Sequence, residues 1–490
     1  MVMARPNVVP LIIHGQEIRL PEERNNTIFP SNPDIPSATP WLAQGATEEL
    51  STKAVQSCAD AFPQWKKTLP KERQILFTKL VKLLRERADD LQLIIEDEIG
   101  CSSLWASINV QDAIAVAEQT CATVTSGVLS GIIPEVQQPG THAAIFKEPL
   151  GVILAIAPWN APAVLGMRSI AAPVAAGNCV VFKGSELSPR THYFLATLFQ
   201  DAGFPPGVVN FLTHRPEDAP VIFETLISHK SIRKCNFTGS TAVGRQVAMR
   251  AAYHLKPVLL ELGGKNFAIV LDDADVTLTA KMILQGAFLN TGQICMSTDL
   301  VLVSERTKPV LCRALRAALS EMSAQATHVI SAKSRARIHA LLQDAANKGA
   351  QLITAEDRPD LVKEDSPESR VHPTIIEGVT KDMDFWELES FGPVVGLATV
   401  ADIDEAVSVV NSCEYGLSAA IFTKSDIKAI HLGRKLDVAS VHINGPTVHD
   451  EATLPHGGFK NSGWGRFGGH WAFEEFLQTK TVLVNDLHAD

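Results

Sequence analysis

Val152-Ile153-Leu154-Ala155-Ile156-Ala157 is a short run without a polar side chain. It is too short for an ordinary helix and continuous rather than alternating, so it reads as a strand buried on both faces. The same texture returns at Cys179–Phe182, Val208–Leu212 and Lys234–Phe237, with helix-like stretches such as Ser188–Asp201 and Glu217–His229 between the runs. Strands alternating with helices are the mark of stacked βαβ units, which predicts an α/β fold with a parallel sheet covered by helices on both faces. A second α/β stretch begins near Pro257, with strands expected at Val258–Leu262 and Phe267–Leu271, then a helix from Thr277 running to the loop that ends at Cys295. It continues to about Pro455.

Upstream of the first strand, helical patterns dominate to about Gly131. Pro70-Lys71-Glu72-Arg73 opens a helix in which Leu76, Leu80, Leu83 and Leu84 repeat at one-face spacing. The first fifty residues, rich in Pro, Asn and Ser, read as an extended arm laid on the surface. Ile132–Lys147, with a Gln137-Gln138-Pro139-Gly140 turn between two extended segments, signals a hairpin.

At 490 residues the chain exceeds one ordinary core, and roughly two to four units are expected. A net charge of −10 with no basic cluster excludes nucleic acid as an expected partner. Eight cysteines lie scattered without a Cys-x-x-Cys pair or a nearby His-x-x-x-His, which argues against a zinc site or a disulfide framework and for a reducing compartment. The apolar stretch Val8–Ile13 is too short for an export signal and is broken by Pro10. Other apolar stretches fall short of the roughly 20 residues of a membrane span. His488-Ala489-Asp490 at the end gives no peroxisomal address, so a cytoplasmic enzyme bound to neither membrane nor nucleic acid is expected.

The chemistry concentrates in a few runs. Asn290-Thr291-Gly292-Gln293-Ile294-Cys295 holds a thiol in a glycine-loosened loop beside amides, a setting that suits a covalent catalyst. Glu261-Leu262-Gly263-Gly264-Lys265 places a carboxyl group on a glycine-rich turn after the apolar approach Val258-Leu259-Leu260, where it can activate water. Asn160, in Ala157-Pro158-Trp159-Asn160-Ala161-Pro162, sits just past a buried strand in a proline-stiffened loop. Phe237-Thr238-Gly239-Ser240-Thr241-Ala242-Val243-Gly244 ends a strand and opens a helix whose N-terminus suits a pyrophosphate. A literal Gly-x-Gly-x-x-Gly at Gly463–Gly468 follows no strand and leaves too little chain for a βαβ unit, so it is set aside.

These runs make the chain resemble the aldehyde dehydrogenase superfamily over nearly its whole length. The resemblance implies two Rossmann-like domains plus a β-hairpin oligomerisation element. It divides the chain into a cofactor domain of residues 1–130 and 149–256, a catalytic domain of 257–456, and an oligomerisation element of 131–148 and 457–490, in which Thr481–Asn485 matches the terminal strand. It implies Cys295 as nucleophile and Glu261 as the base that activates the deacylating water. Asn160, with the Cys295 N–H, then becomes the oxyanion donor, each good donor being worth about 3 to 4 kcal/mol.

For the cofactor the resemblance implies Trp159, Lys183, Ser185, Glu186, Gly239, Ser240, Gly244, Leu262, Gly263, Glu389 and Phe391. The last two belong to Glu389-Ser390-Phe391-Gly392-Pro393, whose carboxylate grips the nicotinamide ribose in the family. A carboxylate at Glu186 favours the ribose hydroxyls of NAD and repels the 2′-phosphate of NADP, with NADP still possible.

Within the superfamily the chain is most similar to the group acting on salicylaldehyde, vanillin and benzaldehyde, in the segments around Asn160, Cys295, Asn444–Glu451 and Gly463–Gly469. An aromatic substrate is expected, with Arg168, Trp105 and His456 as pocket residues and Ala161 leaving room for a flat ring. Aliphatic or other small aldehydes, and an acylating semialdehyde dehydrogenase, are the alternatives. His456 stands where relatives commonly place Phe, and Asp299-Leu300 replaces the usual Glu-Arg behind the nucleophile. A homodimer or homotetramer is expected, with no metal.

Overall fold

A computed structural model of the chain describes residues 8–20, 28–35, 41–322, 327–355 and 370–485. The reading at His488–Asp490 lies outside the described residues. Two sheets organise the molecule. In the first, parallel strands Val258–Glu261, Ile232–Thr238, Val152–Ile156, Cys179–Lys183 and Val209–Leu212 lie side by side in that order. The central strand Val152–Ile156 is buried at every residue, as its uninterrupted apolar run requires. The second sheet runs Gln351–Ile353, Thr374–Glu377, Val394–Val400, Thr298–Ser304, Asn266–Val270, Ser418–Phe422 and Ser440–Ile443, parallel except at its first pairing.

Two expectations need correction here. Val258–Glu261 does not open the second sheet but hydrogen-bonds to Ile232–Thr238 at the edge of the first, so the crossing between sheets falls at residues 262–265 rather than at 257. An edge strand and a second-sheet strand both read as short apolar runs, and only the partner distinguishes them. The N-terminal segment is not an arm on the surface either. Leu11–Ile13 is fully buried and pairs antiparallel with Val209–Leu212, while Val8–Val9 pairs with Leu42–Gln44. Apolar side chains on both faces of Leu11–Ile13 favour burial over the solvation that the surrounding Pro and Asn suggest.

Helix Glu48–Trp65 packs on the first sheet, while Pro70–Glu86, Ala88–Ile99 and Ser103–Thr123 pack on one another and on the covering helices Pro162–Ala175 and Pro189–Asp201. The second begins at Pro70 as predicted, and the Glu72 carboxylate accepts the Leu69 N–H at 2.7 Å, capping the first turn. Its buried face is Arg73, Phe77, Leu80 and Leu84, with Leu76 and Leu83 at the margin. Strand Thr141–Pro149 leaves the body and pairs along nine residues with Leu477–Asn485, and Ile132 bridges to Ile145 across the expected turn. Val482, Leu483 and Val484 on this ribbon are exposed.

Gly463–Trp464, from the discarded glycine motif, is an antiparallel edge strand on Leu260–Glu261. A Cβ at Gly463 would stand 2.0 Å from the Leu260 carbonyl, so this glycine serves close backbone packing.

Candidate active site

The loop carrying Cys295 is built from strained backbone. After helix Val276–Phe288, a tight turn at Leu289–Gly292 puts Asn290 and Thr291 at φ of 48° and 57°, in the left-handed region that costs a non-glycine residue energy. Gly292, at φ 67°, lies so near the Gly392 carbonyl that a Cβ would stand 1.9 Å away. Hydrogen bonds hold the loop in this shape. Gln293 accepts the Ile330 N–H at 2.8 Å, and Asn266 Nδ2 donates to the carbonyls of Cys295 and Ser297 at 2.8 and 2.9 Å.

The second element arrives across the domain junction. Asn160 Nδ2 donates to the Gln293 carbonyl at 3.0 Å, joining the loop after Val152–Ile156 to the nucleophile loop. That bond uses one of the two amide hydrogens and fixes the plane of the other. The Asn160 carbonyl accepts from Trp105 Nε1 at 2.9 Å and from Asn290 Nδ2 at 3.2 Å. Trp105 is therefore a buried brace beneath Asn160. Among the described residues the Cys295 N–H has no acceptor.

Glu261 is 1 % exposed, and both its carboxyl oxygens lack a hydrogen-bond partner among the described residues. Buried polar groups are nearly always satisfied, so an orphaned carboxyl beside a thiol points to a role in chemistry. Burial pushes the Cys295 thiol well above its usual range, the Glu261 charge adds to this, and the Arg168 guanidinium partly opposes it.

Behind Glu261 lies a line of charged groups. His456 Nε2 is 3.6 Å from Glu261 Oε1, and His456 Nδ1 is 3.5 Å from Asp450 Oδ2. Asp450 in turn pairs with Arg168, which also lies over the Phe467 ring. Arg168, expected as a pocket residue, has its guanidinium already paired with Asp450. An open cleft of about 490 Å³ reaches this pair, bordered by Asp112, Val116, Gln119, Val164, Arg168 and Asp450. Its polar rim is acidic, and burial followed by the Asp450 charge pushes the Asp112 carboxyl up to about 6. His456 borders a smaller cavity with Arg168 and Asp450 rather than this cleft.

Most of the residues expected to meet a cofactor sit at or just past the carboxyl ends of strands in the first sheet. Ser240 caps helix Thr241–Tyr253 by accepting the Val243 N–H, and a Cβ at Gly244 would stand 2.4 Å from Leu262, so this glycine lets the helix lie directly on the turn after Glu261. Gly239 donates its N–H to the Glu261 carbonyl at 3.0 Å. Lys183 Nζ lies 3.9 Å from Glu186 Oε2 at the end of Cys179–Lys183; burial lowers the lysine and Glu186 raises it back in part. Ser185 is buried, its N–H donating to His192 and its hydroxyl accepting from Leu187.

From the second sheet, Glu389 reaches Gly264 N–H at 3.1 Å and packs on Gly263, where a Cβ would stand 2.4 Å from its carboxyl oxygen. Burial pushes this carboxyl up to about 8. Phe391, at φ 42°, sets its ring edge-on to Trp159 with centroids 6.1 Å apart.

Several supporting residues escape sequence reading. Arg337 donates to the carbonyls of Glu389 and Ser390 at 2.7 and 2.6 Å. Asp299 accepts the Ser390 N–H and lies 3.7 Å from Lys265 Nζ, so the departure behind the nucleophile braces the Glu389 loop. Asn266 directly follows the Glu261 run, and Asp450 lies in a quoted segment. Nothing in either context marks their contacts.

The comparisons agree with this geometry. The profile described as "Aldehyde dehydrogenase family" matches residues 23–482. A vanillin dehydrogenase from Pseudomonas fluorescens is 38% identical over 98% of this chain and 98% of its own length. A salicylaldehyde dehydrogenase from Pseudomonas sp. strain C18 is 38% identical over 90% and 91% of the two chains. The crystal structure of a salicylaldehyde dehydrogenase from Pseudomonas putida G7, complexed with salicylaldehyde, superposes with a TM-score of 0.92 at 34% identity over 99% of both chains. Matched by that family profile over most of its length and by relatives over nearly all of it, the chain belongs to the aldehyde dehydrogenase family, whose members are NAD(P)-dependent oxidoreductases.

Proposed function

We propose that this protein oxidises an aromatic aldehyde of the benzaldehyde, vanillin or salicylaldehyde type to its carboxylic acid, preferring NAD to NADP. The observation that carries the chemistry is the orphaned, buried Glu261 carboxyl facing the Cys295 thiol, with the Asn160 amide fixed on the same loop. Cys295 sulfur attacks the carbonyl carbon, and the Asn160 amide and Cys295 N–H receive the developing oxyanion. The nicotinamide ring, when bound, accepts the hydride that leaves the substrate carbon. Glu261 then takes a proton from water as its oxygen attacks the thioester, and the sulfur departs as thiolate.

The residues present fit such a cofactor. Gly244 lets the N-terminal turn of helix Thr241–Tyr253 lie against Leu262 beside the end of its strand, and the Glu389 carboxyl stands over Gly263 from the second sheet. Glu186 supports the NAD preference, since a 2′-phosphate beside it meets a carboxylate that Lys183 only partly offsets. Replacing Glu186 with Ser should raise the NADP-to-NAD ratio of kcat/KM by about tenfold, or about 1.4 kcal/mol. An unchanged ratio removes Glu186 from cofactor choice.

For the substrate, relatives named for vanillin, salicylaldehyde and benzaldehyde support a flat ring. The pairing of Arg168 with Asp450 leaves no free cation for a carboxylated aldehyde, and the acidic rim repels one. A panel followed at 340 nm should give benzaldehyde-type substrates a kcat/KM at least about tenfold above succinate semialdehyde. The opposite order defeats the aromatic reading, and silence across aliphatic and aromatic aldehydes defeats the function.

Glu261 also disfavours release of the thioester to coenzyme A, which needs no water-activating group. The exposed Val482–Val484 ribbon supports homodimer or homotetramer assembly through Leu477–Asn485, and eight free cysteines support a cytoplasmic location. Among the described residues no helix is long and apolar enough to cross a membrane.

A further inference from the structure

His456 occupies a position that the proposed chemistry leaves unexplained. Its ring lies edge to edge between two carboxylates on different segments, Nε2 at 3.6 Å from Glu261 and Nδ1 at 3.5 Å from Asp450. It is 8 % exposed. Its backbone is clamped by paired hydrogen bonds with Phe467, 2.9 Å from its N–H and 2.8 Å to its carbonyl, so the ring has a fixed anchor. The next residue is equally confined, since a Cβ at Gly457 would stand 2.5 Å from the Gly465 carbonyl.

Glu261, by contrast, has no hydrogen-bond partner on either oxygen among the described residues. Leaving a buried carboxyl unsatisfied costs free energy, and a small rotation toward His456 would satisfy it. The carboxyl thus has two stations within reach, the reacting centre at Cys295 and the imidazole behind it. Each deacylation deposits one proton on Glu261, which must leave before the next turnover.

We propose that His456 is a positioning residue that draws the proton off Glu261 and passes it to Asp450 at the border of the cleft. The water O–H bond breaks as its oxygen attacks the thioester carbon, Glu261 Oε1 takes the proton, and the C–S bond breaks to return the thiolate. Glu261 then gives this proton to His456 Nε2 while His456 Nδ1–H gives its own to Asp450 Oδ2, which restores the Glu261 carboxylate; exchange with solvent, one proton gained at Nδ1 as one is lost from Nε2, returns the ring to its starting tautomer. Asp450 releases it to solvent, and its pairing with Arg168 keeps it aimed at the ring. An imidazole serves here because one nitrogen can take up a proton while the other gives one up near neutral pH, which no amide or phenyl ring does.

The inference rests on the proposed role of Glu261, so its test uses a reaction that needs neither aldehyde nor cofactor. p-Nitrophenyl acetate acylates the thiol directly, and its burst counts intact sites while its steady state reports deacylation. In His456→Phe and His456→Gln the burst should persist while the steady state falls by about tenfold or more, within the range of lost proton transfer. Added imidazole should restore deacylation in His456→Ala but not in the His456→Ala, Glu261→Gln double variant. A steady state within about twofold of the parent in His456→Phe, equal loss of burst and steady state in every variant, or rescue that persists without Glu261 overturns the relay. If ester deacylation depends on His456 while no aldehyde is oxidised, the relay stands and the aldehyde reading falls. Aldehyde oxidation with no dependence on His456 gives the reverse.

Discussion

Cys295→Ala should abolish both the first turnover and the steady state, lowering kcat by about 10⁴-fold or more while the protein still folds. The size follows from the proposed route, in which every bond change at the substrate carbon passes through the sulfur. Asn160, the Cys295 N–H and Glu261 have nothing to act on without it. Folding should survive because the side chain is only partly buried and the loop is held by groups outside it. Asn266 donates to the Cys295 carbonyl, the Gln293 side chain accepts from Ile330, and Asn160 donates to the Gln293 carbonyl. The stability change should stay within about 1 kcal/mol. The measurement is stopped-flow NADH formation with benzaldehyde, beside a thermal melt. A surviving burst in a variant with an unshifted melt would show that another group is the nucleophile.

The parts legible in the sequence are those whose physics is local. Val152–Ile156 and Cys179–Lys183 announce buried strands through uninterrupted apolar runs, and Ser240 with Gly244 announces a capped helix pressed on a neighbour. The parts that escaped depend on which distant segment arrives. Val258–Glu261 has the same composition whether it begins one sheet or closes another, and only its pairing with Ile232–Thr238 decides.

The site divides in the same way. Cys295, Glu261 and Asn160 were visible as residue types in suitable loops, but the pairing of Arg168 with Asp450 requires two segments 282 positions apart to meet. That contact changes the expected chemistry, because a guanidinium with a bound partner no longer recruits an anion. His456 likewise read as a polar pocket wall, whereas its geometry sets it behind the base.

Glu261→Gln should separate the two halves of the reaction and produce effects of opposite sign on one sulfur atom. If water activation is its task, acylation and hydride loss proceed once, giving a burst of about one NADH per site, after which the thioester accumulates. The steady state should fall by about 10²- to 10⁴-fold, a loss of about 3 to 5 kcal/mol in the deacylation barrier. The thiol itself should become more reactive. Burial is the first cause of its raised pKa, and the Glu261 charge is the next. Removing that charge lowers the thiol, and each unit of fall increases the thiolate fraction about tenfold at fixed pH below the midpoint. Iodoacetamide, which reacts with thiolate, should therefore alkylate Cys295 faster in the Gln variant than in the parent at pH 8. A damaged site would slow both reactions, and a bystander carboxylate would leave the steady state unchanged. Slower turnover with faster alkylation is expected only of a base held against the nucleophile it later releases.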